Sequence, residues 1–348
     1  AAQPNSYAHY LLGITAAFLR DRERLNECLT RYNACAMGST VLNGTGWPLN
    51  REAMAVRLGF PAPRRNAFDA TCMSPADMPF ELASINASAA LHVGSFISDV
   101  MVQYAQPRPW ILLQEGGENT YVSSAMPQKR NPGLMINTRA AASDVIGQAQ
   151  TVILKAHNIP PGMSDPKSVS ANAKLANDTS ALLKQFTRVI KALRVNPERA
   201  LEELNSDWTA SQEVADVLMR EYKLPFRVGH HVASHIVTYA RNNNLSPTNF
   251  PYEQVKKIYA EVIKSEYPQG NPVCPMSEQE FRDTLNPTAI VANRKTEGGP
   301  QPAELTKALS AADAAIAEQR EWTKQNRRHI DQSLAKLDAD FQKLLEQK

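Results

Sequence analysis

The chain has 348 residues, and its 38 Lys and Arg against 35 Asp and Glu leave a formal net charge of +3. Such balance argues against nucleic acid or an anionic membrane as the main partner, so any anion site has to be local. Cys28, Cys35, Cys72 and Cys274 form no CxxC pair and stand in no His-rich spacing, which points to neither a zinc site nor a disulfide framework but to reduced thiols in a cytoplasm. No run approaches the roughly 20 apolar residues of a membrane span, and the polar start AAQPNSYAHY is no signal peptide, so the chain reads as a soluble cytoplasmic protein. It lacks an initiator Met and enters a helix-like segment at once, as expected of a chain that begins inside a larger protein.

The hydrophobic period is helical almost throughout, which predicts an all-α fold. From Ser6 to about Tyr32, Leu11, Ile14, Phe18, Leu25, Leu29 and Tyr32 form one stripe of a long amphipathic helix. A second helix is expected to open near Pro79, to carry Leu82, Ile85 and Ala89 on one face, and to stop before Pro107. Beyond Pro132, the set Met135, Thr138, Ala142, Val145, Ala149, Val152 and Ala156 steps by threes and fours like a bundle seam. Leu175, Leu182, Phe186, Val189 and Leu193 make another seam between Pro166 and Pro197. Thr209 with Gln212 and Ser277 with Glu280 have capping-box spacing, each opening a modest helix. The last helix follows the turn-rich GGPQP at 298–302 and ends with Ile330, Leu334, Leu337, Phe341 and Leu344 on a stripe that is expected to pack into a core. These elements place a central long-helix bundle at residues 1–205 and a smaller C-terminal helical domain at 206–348. Stripes this extended call for partner helices, so an oligomer is expected.

Between the two central helices lies a polar stretch from Gln114 to Pro132. Gly116 and Gly117 free its backbone at one end and Pro127 and Pro132 stiffen the other, a composition suited to a lid over a ligand as well as to an ordinary connection. Ser123 and Ser124 offer hydroxyls, Lys129 and Arg130 positive charge, and Asn131 amide donors just before a helix N-terminus, where anions are favoured. Together these groups suit a dicarboxylate. His9, His230, His231 and His235 fall in no comparable cluster and read as packing or surface residues.

SSAMPQKRNP at 123–132 carries every fixed position of the SSxMPxKxNP motif of the fumarase/aspartase superfamily. AQP at 2–4, GST at 38–40, GTGWPLNRE at 44–52, FDAT at 68–71, LPFRVGHHV at 224–232 and LNPTAIVANRKTEGGPQP at 285–302 resemble the argininosuccinate lyase branch in order and spacing. The loop also resembles that of adenylosuccinate lyases, whose C-terminal region differs. The resemblance spans nearly all of the chain and implies a homotetramer with each site built by three subunits, and no metal or organic cofactor.

It also implies elimination from a substituted succinate to give fumarate. Ser123 matches the general base. Lys129 and Asn131 match the groups that stabilise the aci-carboxylate. Ser124, Met126 and Lys129 match substrate-shaping positions, and Gln3 of the AQP segment and Lys167 complete the expected set. Three departures stand out. The family's Thr-His pair would fall upstream of Ala1, together with a segment that supplies further carboxylate-binding side chains. Ile136 stands where the family has a glutamate that supports its histidine. The stretch IPPGMSDPK at 159–167 is shorter than the family's loop and lacks its Tyr and Gln. Losing those polar groups weakens the case for a guanidinium leaving group. The expected substrate is an N-substituted aspartate, argininosuccinate-like or an aminopolycarboxylate such as ethylenediamine disuccinate. A catalytically impaired binding homologue and a fumarase-like hydratase are the alternatives.

Overall fold

A computed structural model describes residues 3–163 and 167–346. Among these residues twelve α-helices account for nearly all regular structure, and the fold is all-α. The chain divides into two compact units, one of Ala1–Gly13, Arg108–Trp110 and Val195–Ala311, the other of Ile14–Pro107, Ile111–Arg194 and Ala312–Lys348. The sequence reading has a single boundary at 205–206, whereas the chain passes between these units several times.

The larger unit is built on α3 (Ser74–Tyr104), α4 (Gly133–Ala156) and α5 (Val169–Ala192), joined by α1 (Tyr7–Tyr32) from Ile14 onward, α2 (Arg51–Arg57) and α12 (Pro302–Glu346) from Ala312 onward. Along α4 the seam Met135, Thr138, Ala142, Val145, Ala149 and Val152 is buried as its spacing requires. Small side chains let the helices approach, and the one hydroxyl in the row, Thr138 Oγ1, donates to Leu134 O at 2.7 Å, so its burial costs little. Leu175, Leu182, Phe186 and Val189 of α5 are likewise buried. Leu193 leaves the helix for the short strand β4 (Leu193–Val195), which pairs with β1 (Ile111–Leu113). Phe96 of α3 meets Phe186 edge to face at 5.4 Å, and Phe18 of α1 lies against the same ring at 5.7 Å.

Several expectations change. The second helix opens at Ser74, not near Pro79, because Pro75 occupies its first turn and a π-helical turn, Asp69–Met73, feeds into it. By length and mean hydropathy this helix with its preceding turn is apolar enough to cross a membrane, against the expectation that no segment would be, but ten residues of α3 are buried within the fold, as befits a core helix. On α1 the buried line runs through Ala17, Asp21 and Cys28, and Leu25 and Leu29 stay exposed beside it. The final stripe does not pack into a core: Ile330, Leu334, Phe341 and Leu344 of α12 are about half exposed or more, from 48% to 58%. Pro166, expected to bound α5, lies outside the described residues; Ser168 caps that helix by accepting from Ala171 N at 3.3 Å.

The smaller unit packs α7 (Gln212–Arg220), α8 (Phe226–Asn242) and α9 (Tyr252–Glu266), with α6 (Pro197–Ser206), α10 (Glu278–Thr284) and α11 (Pro287–Ala292) around them. Its core centres on Trp208, Phe250 and Phe281. Gly229 lets α8 approach α7 closely, since a Cβ there would meet the backbone of Ala215 at 3.3 Å. The Ser277–Glu280 capping box is formed. The one expected at Thr209 and Gln212 is not: Ser211 precedes α7 in helical conformation without a side-chain cap, and the Thr209 hydroxyl is buried without a partner.

Removing the Phe96 ring leaves a void between α3 and α5, and Phe96→Ala is expected to destabilise the larger unit by about 3–5 kcal/mol in denaturant unfolding. Arg31 and Glu81 tie α1 to α3 through a forked contact, Arg31 Nε lying 3.0 Å from both carboxylate oxygens. The Arg31 hydrogen bonds hold the Glu81 carboxyl below its usual range, working against burial. A depressed carboxyl contributes stability above its unfolded value, about 4.3, and loses it as pH falls through the folded one. Arg31→Gln is therefore expected to lower the melting temperature at pH 7, and the difference from wild type closes below about pH 4.

Candidate active site

The polar loop that carries SSAMPQKRNP folds as a hairpin in the larger unit. Its strands β2 (Tyr121–Val122) and β3 (Arg130–Asn131) pair antiparallel, with Tyr121 opposite Asn131 and Val122 opposite Arg130. The hairpin leads directly into α4, so Asn131 does precede a helix N-terminus. Gly116, Gly117 and Glu118 follow one another at φ of 81°, 58° and 66°, a left-handed run for which the two glycines are the natural residues. Asn119 then ties the turn down: its backbone N–H donates to Gly116 O at 3.0 Å, its side chain to Gln114 O at 3.2 Å, and its own carbonyl accepts from Leu134 N at 3.1 Å. Arg188 of α5 pairs with Glu118 at 3.4 Å, and Arg194 of β4 donates to Gln114 Oε1.

At the tip, Ser123 Oγ accepts from Met126 N at 3.1 Å and from Ala125 N at 3.3 Å. Lys129 N donates to Met126 O at 3.0 Å, and Ser123 N to Lys129 O at 3.4 Å, so Ser123 and Lys129 face each other across the hairpin. Ser123 is half-buried, whereas Ser124, Met126 and Lys129 are exposed. The Asn131 side-chain amide donates to Tyr121 O at 3.3 Å, so one of its donors serves the hairpin. Tyr104, at the end of α3, donates its hydroxyl to Arg130 O at 3.2 Å; burial, helped by the nearby Glu115 charge, pushes that phenol up, keeping it a neutral donor. Ile136 is half-buried in the first turn of α4.

Five of the seven nominated residues thus share one hairpin. Lys167 does not join them. Its ammonium donates to Gly162 O at 3.2 Å, beyond the far end of α4, whose 24 residues span roughly 36 Å. Beside it a cavity of about 250 Å3 is lined by Gln148, Thr151, Lys155, Ser168 and Asn172, none of them nominated from the sequence. Gln3 belongs to the smaller unit, where its amide donates to Gln212 Oε1 at 2.5 Å.

Other stretches that carry the resemblance have structural duties. Asn50 caps α2, and Arg51 reaches back to Met37 O at 3.1 Å and Arg64 O at 2.8 Å, folding the 38–52 segment around that helix. Asp69 accepts from Ser74 Oγ at 2.8 Å at the start of α3. Asn286 caps α11, and Arg294 pairs with Glu213 at 2.8 Å. His9 lies 2.9 Å from Gly298 O, and His231 pairs with Glu266, whereas His230 and His235 are exposed. All four cysteines are free thiols.

Comparison with known proteins bears on the family and the fold. Residues 1–147 match a lyase family and residues 208–292 match the argininosuccinate lyase C-terminal family. Over most of its length the chain is thus similar to the argininosuccinate lyase branch of the fumarase/aspartase superfamily. It is 28% identical over 319 residues to the argininosuccinate lyase of Methanosphaera stadtmanae, covering 91% of this chain and 66% of that one. It is 27% identical over 327 residues to that of Pelotomaculum thermopropionicum, with 91% and 65% covered. The chain therefore spans just under two thirds of the length of these relatives. An EDDS lyase in complex with formate shares the fold, at a TM-score of 0.86 over 99% of this chain and 67% of that one, with 22% identity.

Gly133 is where the hairpin meets α4, and a Cβ there would sit 2.9 Å from Tyr121 Cδ1. Gly133→Val is expected to displace Tyr121 and loosen β2 from β3. Limited proteolysis should then cut within 119–131 several-fold faster, with the helix content unchanged by circular dichroism.

Proposed function

We propose that the protein is a carbon–nitrogen lyase that cleaves an N-substituted aspartate to fumarate and an amine. The observation that carries this reading is Ser123, whose Oγ receives two backbone N–H groups at the tip of a hairpin that also presents Lys129. Donors aimed at a hydroxyl oxygen favour its negatively charged form, which a serine needs to take a proton from carbon. Ser123 removes the proton from the carbon next to one carboxylate, and the electron pair moves into that carboxylate as an aci-carboxylate. Lys129 and the remaining amide donor of Asn131 stabilise the added charge. The pair then returns to form the carbon–carbon double bond as the carbon–nitrogen bond breaks at the protonated nitrogen and the neutral amine departs. Ser124 and Met126 shape the pocket around the succinyl unit.

Substrates of the argininosuccinate and ethylenediamine disuccinate type fit this chemistry, and the names of the relatives point the same way. Lys167, and Gln3 of the smaller unit, belong to the leaving-group and carboxylate ends of sites that several subunits complete. The length of α4 between Ser123 and Lys167 supports shared sites, because one chain cannot bring both to one small molecule. The exposed apolar stripe of α12 supports a homotetramer.

Fumarate release, followed by its ultraviolet absorbance with argininosuccinate, ethylenediamine disuccinate and related N-substituted aspartates, tests the reading. Ser123→Ala is expected to lower kcat by about 10²–10⁴-fold on whichever compound is cleaved. Equal rates for wild type and variant would sink the assignment. Malate formed from fumarate would indicate a hydratase, and substrate binding without turnover an impaired homologue of the kind that Ile136 suggests.

A further inference from the structure

The motif places two cations side by side, and the structure gives them different work. We infer that Arg130 is a positioning residue that clips the neck of the loop to its tip through Glu115, and that the substrate carboxylate is left to Lys129; this rests on the lyase reading above.

The Arg130 guanidinium is engaged by its own loop. Its Nε lies 3.1 Å from Glu115 Oε2, and its Nη1 donates to Pro127 O at 2.6 Å and reaches Lys129 O at 3.4 Å. Its backbone is held as well, paired with Val122 in the hairpin and accepting from Tyr104 on α3. Glu115 immediately precedes the left-handed Gly116–Gly117–Glu118 run, so the pair closes the mouth of the loop over a separation of 15 residues. A planar guanidinium can meet a carboxylate and a carbonyl at once, whereas an ammonium on a flexible stem acts as a single point charge. The turn from Pro127 to Lys129 is therefore set by Arg130, and that turn sets both the Met126 amide on Ser123 Oγ and the backbone from which Lys129 projects. Arg130 acts through these groups. Because Glu115 is largely solvent-facing and Arg130 partly so, the pair contributes little to global stability, and its effect is confined to the loop.

Glu115→Gln and Arg130→Lys in the intact protein separate the possibilities, read by hydrogen–deuterium exchange without ligand and by steady-state kinetics. Each variant is expected to raise exchange within 119–131 by about fivefold, with exchange in α4 and the melting temperature unchanged. Each is also expected to lower kcat by about tenfold while KM stays within about twofold. A substrate-binding Arg130 would give a different result: Arg130→Lys would raise KM by about tenfold or more at wild-type exchange, and Glu115→Gln would leave exchange alone. Either finding overturns the assignment. The exchange measurement needs no turnover, so a protein that forms no fumarate would refute the lyase reading while the clip is still decided by exchange.

Discussion

Everything at the loop depends on α4 being buried along one side. Its row of Met135, Thr138, Ala142, Val145, Ala149 and Val152 is locked against neighbouring helices, and close-packed interiors do not deform gradually. The hairpin of β2 and β3 runs straight into that helix at Gly133, so the position of Ser123 is inherited from the packed helix. On the proposed reading, in which a serine is aimed at a carbon-bound proton, such a mounting matters because small misplacements of a catalytic group cost large factors in rate.

Much of this was legible in the amino acids. The seams of α4 and α5 follow from spacing alone, because a helix with a buried face has to repeat small and apolar residues every three or four positions. The SSAMPQKRNP run marked a loop, though not its pairing as a hairpin, and the Ser277–Glu280 box formed where its spacing put it. The start of α3 was misplaced because two prolines lie in its first turns and Pro75, not Pro79, does the opening. Thr209 had the right spacing for a cap, but the chain is already helical at Ser211 and buries the hydroxyl instead. Capping patterns describe local preference, and tertiary packing overrode it there.

The site was legible as a list of residue types and not as a division of labour. Lys129 and Arg130 read as a pair of positive charges in sequence and Asn131 as a donor to the substrate, yet Arg130 and one donor of Asn131 are spent on the loop itself. Lys167 appeared as a companion of Ser123, whereas the distance along α4 separates them. Sequence proximity carries no information on which end of a long helix a residue occupies until the antiparallel turn between α4 and α5 is known. Motif stretches such as LNPTAIVANRK owe their residues to caps and ion pairs, so a family pattern mixes chemistry with scaffolding.

The ridge of Ile330, Leu334, Phe341 and Leu344 on α12 bears on how the protein behaves in a tube. In an assembly that covers this ridge, association withdraws the apolar surface from water, and mass action links the folded state to the amount of protein present. Dilution of such an assembly acts as a mild denaturant would, so thermal stabilities are to be compared at matched concentration.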